Sequence, residues 1–80
     1  MKEESINIKL TKDEALVLFE FLGRFNKEQF KKVFDDQAEQ KVLWNVECIL
    51  EKELSEPFRA NYEEIIKKAR RKIREGNKRN

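Results

Sequence analysis

The stretch that decides the fold is TKDEALVLFEFLGRFN, residues 11–26. Thr11 followed by Glu14 forms a capping box, so a helix is predicted to begin here and to run from about Lys12 to Asn26. At about 100° per residue, apolar side chains cover most of this helix. The main apolar face is Ala15, Leu18, Phe19, Leu22 and Phe25, with Leu16 and Phe21 on its edges, and the polar strip is Asp13, Glu20 and Arg24. So apolar a helix is predicted to lie in the middle of the domain.

The segments on either side of this helix carry signals for strands. In SINIKL, residues 5–10, apolar Ile6, Ile8 and Leu10 alternate with polar residues, which predicts a short half-buried N-terminal strand. KEQFKKVFDD, residues 27–36, fits either a second short strand near residues 30–34 or a helical turn. A second strand beside the first would make a β-α-β unit, because the intervening helix is long enough to connect them.

The second helix is marked by a capping signal at each end. DQAE, residues 36–39, pairs Asp36 with Glu39 as another capping box, and the helix is predicted from about Gln37 to Leu54. Ser55, Glu56 and Pro57 end it, because the residue before a proline avoids the helical region.

The third helix completes the predicted architecture. Asn61 and Glu64 form a third capping box, and the helix is predicted to continue to Glu75, with Gly76 as a left-handed stop. The sequence therefore predicts one domain over residues 1–80, with residues 76–80 as a frayed tail. The predicted fold class is α+β: a compact three-helix domain with a short N-terminal strand.

Composition narrows the classes of function. Charged residues are 42% of the 80-residue chain, and the longest apolar run, residues 15–19, is too short for a signal peptide or a membrane span. The protein is therefore expected in the cytoplasm, and no association with a membrane is predicted. The absence of histidine removes the commonest general base, and one cysteine, Cys48, builds neither a disulfide nor a zinc site. No enzymatic activity, cofactor or metal is predicted.

The second helix holds a candidate partner-binding face around Trp44. Its apolar residues span an arc of about 160°, and they are Ala38, Val42, Leu43, Val46, Ile49, Leu50 and Leu54. Trp44 and Cys48 lie on the opposite side, among Gln40, Glu47 and Glu51. One interpretation is that the third helix or the connection before it covers Trp44, with Phe58 or Tyr62 as the cover. The other is an exposed anchor for a protein partner, since tryptophan ringed by polar residues is a common interface hot spot.

The basic C-terminal part is the second candidate surface. Residues 1–64 carry ten Lys and Arg against fifteen Asp and Glu, whereas residues 65–80 carry eight against one. Part of this charge is explained by Glu63–Lys67 and Glu64–Lys68 pairs and by the helix dipole. The possible polyanion-binding residues are Lys67, Arg70, Arg71 and Arg74. A solvated helix end, an acidic protein partner and a nucleic acid are the alternatives, and no aromatic residue is interleaved for base stacking.

Three segments also carry a resemblance. DEALVLFEFL (residues 13–22), AEQKVLW (38–44) and LEKELSEPF (50–58) come in an order and spacing that resemble a family of small uncharacterised bacterial proteins, over roughly residues 8–70. The resemblance implies a bacterial domain with this helix arrangement and carries over no activity. We therefore predict a small non-enzymatic protein-binding module: an inhibitor, immunity-type protein, adaptor or regulator. A nucleic-acid-associated protein is the alternative, and a homo-oligomer stays open.

Overall fold

The fold consists of three α-helices in the residues that the structure, a computed structural model, describes, namely 4–27 and 31–76. They are α1 (Lys12–Phe25), α2 (Gln37–Glu53) and α3 (Tyr62–Arg74), with short 3-10 turns at Lys31–Val33 and Glu56–Phe58. Over the described ranges there is no β-strand. The predicted α+β class is therefore wrong, and the fold is all-α.

The N-terminal strand fails because it has no neighbour. Residues 4–10 form no regular secondary structure, and Ile6 is 88% exposed. A strand needs a second strand to accept and donate its backbone hydrogen bonds, and alternating side chains alone do not supply one. The second predicted strand is also wrong where it can be compared, since Lys31–Val33 is a 3-10 turn. Phe30, which was part of that prediction, lies outside the described residues.

The start of α1 agrees with its sequence signal. The Glu14 backbone N–H donates to Thr11 Oγ1 at 3.0 Å, and the Thr11 N–H donates to Glu14 Oε1 at 2.9 Å. Both halves of the predicted capping box are present, so two otherwise unpaired donors at the helix end are satisfied. The helix ends at Phe25 with Asn26 as its C-cap.

The other two helices begin differently from the prediction. Asp36 caps α2 by accepting from the Ala38 N–H at 2.7 Å, but Glu39 accepts from the Asp35 N–H instead of that of Asp36. Asn61, the N-cap of α3, makes no side-chain capping hydrogen bond, so the third capping box is not formed. After α3, Gly76 has a φ of 149°, a positive value that favours glycine. Residues 77–80 of the predicted frayed tail lie outside the described residues.

The core is small and is organised around α1, which packs against both α2 and α3, while α2 and α3 make sparse contact with each other. This confirms the central place predicted for the first helix. The buried residues are Leu16, Leu22, Leu50, Leu54, Ile66 and Ala69. Half-buried side chains extend this cluster, among them Phe19, Leu43, Val46, Tyr62 and Ile65. No helix among the described residues has the length and apolarity needed to cross a membrane.

The orientation of α2 differs from the one that its apolar arc suggests. Leu50 and Leu54 are buried, whereas Val42 and Ile49 from the same arc are exposed. The helix is thus rotated so that only part of the apolar arc faces α1. The remainder forms an exposed apolar flank of α2.

An aromatic cluster joins the end of α1 to the segment before α2. The Phe21 and Phe25 rings are stacked with their centroids 5.5 Å apart, and Phe25 meets Phe34 edge-on at 5.9 Å. Such pairs contribute roughly 0.5–1.5 kcal/mol beyond the area they bury. The cluster therefore holds residue 34 against α1.

Candidate partner-binding site

Trp44 is exposed in the structure. Its exposed fraction is 44%, and the two side chains proposed to cover it lie elsewhere. Phe58 is itself 73% exposed, and the Tyr62 hydroxyl donates to Glu20 Oε1 on α1 at 2.8 Å. Of the two interpretations drawn from the sequence, the structure therefore agrees with the one in which the indole is exposed to solvent.

The indole forms one wall of an open groove of about 620 Å³ at the start of α2. We call it the α2 groove. It is lined by Phe34, Asp35, Asp36, Gln37, Gln40, Lys41 and Trp44. The helical part of the wall follows the spacing i, i+4, because Gln40 and Trp44 lie one turn apart. Two aromatic rings thus share one concave surface with polar and charged groups.

The backbone around the α2 groove is held by specific hydrogen bonds. Asp36 caps the helix through its Oδ1 atom, and the Glu39 carboxylate accepts from the Asp35 N–H at 3.0 Å. Phe34, immediately before these residues, is anchored by its edge-on contact with Phe25. These contacts hold both sides of the turn that precedes the helix.

The charge of the α2 groove is mixed. Asp35 and Asp36 contribute two carboxylates, Lys41 contributes one ammonium group, and Gln40 offers an amide that both donates and accepts. An indole beside hydrogen-bonding groups is suited to holding a side chain or backbone of another protein. The described residues contain no cluster of carboxylate or cysteine side chains that could hold a metal ion.

The structure separates the five residues of the predicted Trp44 face. Gln40 and Trp44 line the α2 groove, while Cys48 and Glu51 are exposed further along the helix. Glu47 turns towards α1, where its Oε1 atom accepts from Asn26 Nδ2 at 2.6 Å. Glu47 therefore already has a structural hydrogen bond.

Asn26 links α1 to α2 at this point. Its Nδ2 group donates to Glu47 and lies 3.5 Å from the Leu43 backbone oxygen, while its own Oδ1 atom is buried without a hydrogen-bond partner. A Cβ atom placed on Gly23 would lie 3.8 Å from Glu47 Oε2, so the carboxylate also packs closely on α1. This contact helps to set the rotation of α2 that leaves Trp44 outside.

The four predicted polyanion-binding residues share one side of α3. Lys67, Arg71 and Arg74 are exposed and Arg70 is half-buried. On a helix these positions span an arc of about 100°. None of the four forms an ion pair within the described part of the chain.

The ion pairs that were expected to neutralise α3 are not formed. Among residues 4–27 and 31–76, the one ion pair joins Lys12 Nζ to Glu56 Oε2 at 2.9 Å, and neither Glu63–Lys67 nor Glu64–Lys68 is present. The prediction that these pairs account for part of the charge is wrong. The basic side of α3 therefore presents its charge to solvent.

The pKa values of two side chains are shifted by contacts that lie outside the α2 groove. The hydrogen bond from Lys12 lowers the pKa of Glu56 below its ordinary value of 4.5. Burial raises the pKa of Tyr62, and the hydrogen bond to the Glu20 carboxylate raises it further. Both shifts belong to contacts that hold the helices together.

Sequence reasoning missed five residues of the α2 groove: Phe34, Asp35, Asp36, Gln37 and Lys41. Phe34 was assigned to a doubtful strand, Asp36 was interpreted only as a cap, and Asp35 was given no role. Phe34, Asp35 and Asp36 lie just before α2, and Trp44 is the next exposed aromatic residue, two turns into the helix. This proximity along the chain is the signal that could have grouped them with Trp44.

Comparison of the chain with protein-family models, with curated proteins and with solved structures finds no match. The resemblance to small bacterial proteins accordingly stays a prediction. Any function assigned to the α2 groove has to be argued from its own geometry.

Proposed function

We propose that this protein is a small non-enzymatic module that binds another protein through the α2 groove. The observation that carries the proposal is the exposed indole of Trp44 in an open groove with a polar and charged rim. Tryptophan is enriched at interface hot spots because one side chain buries a large area with few rotatable bonds. The proposal covers an inhibitor, an immunity-type protein, an adaptor or a regulator.

The surroundings of the α2 groove support a protein partner over a small molecule. The groove is open, and Asp35, Lys41 and Gln40 offer hydrogen bonds beside the indole of Trp44. A central anchor surrounded by polar groups is the usual anatomy of a protein interface. The proposal places the protein in the bacterial cytoplasm, as its composition and its resemblance predict.

The experiment uses Trp44 as its own reporter, since it is the single tryptophan of the chain. The free protein is expected to show red-shifted emission that acrylamide quenches, and partner binding is expected to shift the emission to the blue. Partners are captured from bacterial lysate with and without nuclease. Trp44→Ala is compared with Phe58→Ala, a second exposed aromatic that lies outside the α2 groove.

Trp44→Ala should weaken binding of the captured protein by at least about 2 kcal/mol, the scale of a hot spot. Because the ring is partly exposed, the same change should cost less folding stability than the roughly 3–5 kcal/mol of a fully buried aromatic. Phe58→Ala should leave binding unchanged. Equal binding by both variants would refute the proposal, as would blue, unquenchable emission from the free protein.

The alternative function is association with nucleic acid through α3. It is supported by the unpaired charges of Lys67, Arg70, Arg71 and Arg74 on one side of the helix. Replacing the three arginines by glutamine tests it. Tight binding to duplex DNA or RNA at physiological salt, abolished by the triple substitution, would place this function above the first. Weak binding that disappears as salt is raised is what a solvated helix end gives.

A further inference from the structure

A second groove lies between α1 and α3, apart from the α2 groove. Its volume is about 410 Å³, and we call it the α1–α3 groove. The apolar side chains Val17, Leu18 and Phe21 of α1 line it together with Ile73 of α3. Phe21 is 46% exposed, so an aromatic ring of the floor is open to solvent. An exposed apolar surface that is rimmed by polar residues is a candidate interaction site.

Two arginines border this apolar floor, Arg24 from α1 and Arg70 from α3. The Arg24 guanidinium lies 5.8 Å from the centroid of the Phe21 ring, close enough for a cation–π contact. Neither arginine forms an ion pair in the described part of the chain. The acidic residue of the lining, Glu14, already accepts a hydrogen bond from the backbone N–H of Thr11.

We propose that the α1–α3 groove docks an acidic amphipathic helix of a partner protein. The apolar face of such a helix would cover Val17, Phe21 and Ile73, and carboxylates on its flanks would pair with Arg24 and Arg70. Arginine binds carboxylates with two parallel N–H···O hydrogen bonds, which fixes a partner in position as well as attracting it. The complementarity of charge is what selects this occupant.

Other occupants fit the α1–α3 groove less well. A nucleic acid would meet the two arginines but would leave the apolar floor without a matching surface. A single acyl chain would be poorly enclosed, because a ligand site usually buries most of its ligand. A helix laid in a groove combines an apolar ridge with flanking charges, and it therefore uses both features.

The test is an NMR titration of the isotope-labelled protein with a synthetic peptide of about 18 residues, which is long enough to form a helix. The peptide has leucines at i, i+3 and i+7 with glutamates beside them, and a control peptide carries lysines in place of the glutamates. Amide chemical shifts are expected to change at Val17, Phe21 and Ile73 with the acidic peptide and not with the basic one. The absence of these changes at millimolar peptide would overturn the proposal.

Matched variants separate the arginines from general charge. Arg24→Gln with Arg70→Gln should weaken binding of the acidic peptide at least about tenfold. Lys52→Gln with Arg59→Gln removes two exposed charges outside the groove and should change the affinity less than about twofold. Equal losses in the two double variants would mean non-specific attraction and would also overturn the proposal.

Duplex DNA and vesicles containing anionic lipid complete the experiment. Binding of either that is tighter than binding of the acidic peptide, and is lost in the Arg24→Gln, Arg70→Gln variant, would assign the groove to a polyanion and refute the helix proposal. The α2 groove is followed separately by the fluorescence of Trp44. The proposals for the two grooves can therefore be refuted separately.

Discussion

The rotation of α2 can be tested with two neighbouring residues, Ile49 and Leu50. Both were predicted to face the core, but Ile49 is 60% exposed and Leu50 is 8% exposed. They belong to the same helix, carry the same number of carbon atoms and are each replaced by alanine. The comparison of the two stability losses therefore reports on burial, because the two residues are adjacent in the helix and have side chains of the same size.

The expected losses follow from these exposures. Leu50→Ala removes a buried side chain from the core and should lower the free energy of unfolding by roughly 2–5 kcal/mol. Ile49 buries only about 40% of its surface, and full burial of such a side chain stabilises by about 1.5–3 kcal/mol, so about 0.6–1.2 kcal/mol is at risk. Alanine returns about 0.4 kcal/mol through its higher helix propensity. The net loss for Ile49→Ala should stay below about 1 kcal/mol.

Urea denaturation followed by circular dichroism measures both losses, at two protein concentrations. A domain of this size has a stability of order 5–10 kcal/mol, so a loss of 2–5 kcal/mol is easily resolved. If Leu50→Ala does not fold at all, Leu50→Val gives a smaller loss in the same direction. Losses of equal size at Ile49 and Leu50, independent of concentration, would show that the described rotation of α2 is wrong.

Three further predictions concern contacts between the helices. In a double-mutant cycle, Asn26→Ala and Glu47→Ala should couple by about 1.5–3 kcal/mol, as expected for a hydrogen bond to a charged group, and additive losses in urea would contradict this. Because the pKa of Tyr62 is raised in the folded state, the stability it contributes should be complete below pH about 10 and should fall as the pH rises further. Tyr62→Phe should remove that fall, and an unchanged slope in the variant would show another group to be responsible. Because the pKa of Glu56 is lowered, its contribution should be present above pH about 4.5 and lost in acid, and Lys12→Gln should flatten this loss in urea titrations at decreasing pH.

The parts of the fold that depend on local signals could be predicted from the sequence. α1 begins directly after its N-cap, Thr11, with both hydrogen bonds of the capping box formed, because all the atoms involved lie within four residues. Its apolar surface is too wide to be covered by one neighbouring helix, and the sequence therefore also predicted its central position. The strand of residues 5–10 could not be decided in this way, since alternation reports a preference for extended backbone and says nothing of a pairing partner.

The rotation of α2 depends on a contact between distant residues. The apolar arc of the helix is wider than the surface that α1 covers, so the sequence leaves several rotations open. The hydrogen bond of Asn26 to Glu47 favours the rotation that buries Leu50 and Leu54. Amphipathicity assigns every charged residue to the solvent-facing side of a helix. Where a charged residue lies at a helix interface instead, that assignment is wrong.

The candidate site was predicted only in part for the same reason. Trp44 and Gln40 are in the α2 groove because they lie one turn apart on one helix. Phe34 and Asp35 join them through the conformation of the preceding turn, which no helical periodicity encodes. The positive charge of α3 was visible in the sequence, but its lack of ion pairs was not, and the apolar groove beside Arg70 forms only when α1 packs against α3.

The contacting rings of Phe21, Phe25 and Phe34 have a consequence for regulation. Phe21 belongs to the α1–α3 groove and Phe34 to the α2 groove, with Phe25 touching both rings between them. A helix that presses on Phe21 acts on the same packed row that positions Phe34. The two binding equilibria would then be linked, and linkage is reciprocal: whatever factor the first partner imposes on the second, the second returns to the first. Occupancy of one groove would in that case be transmitted to the other through three side chains.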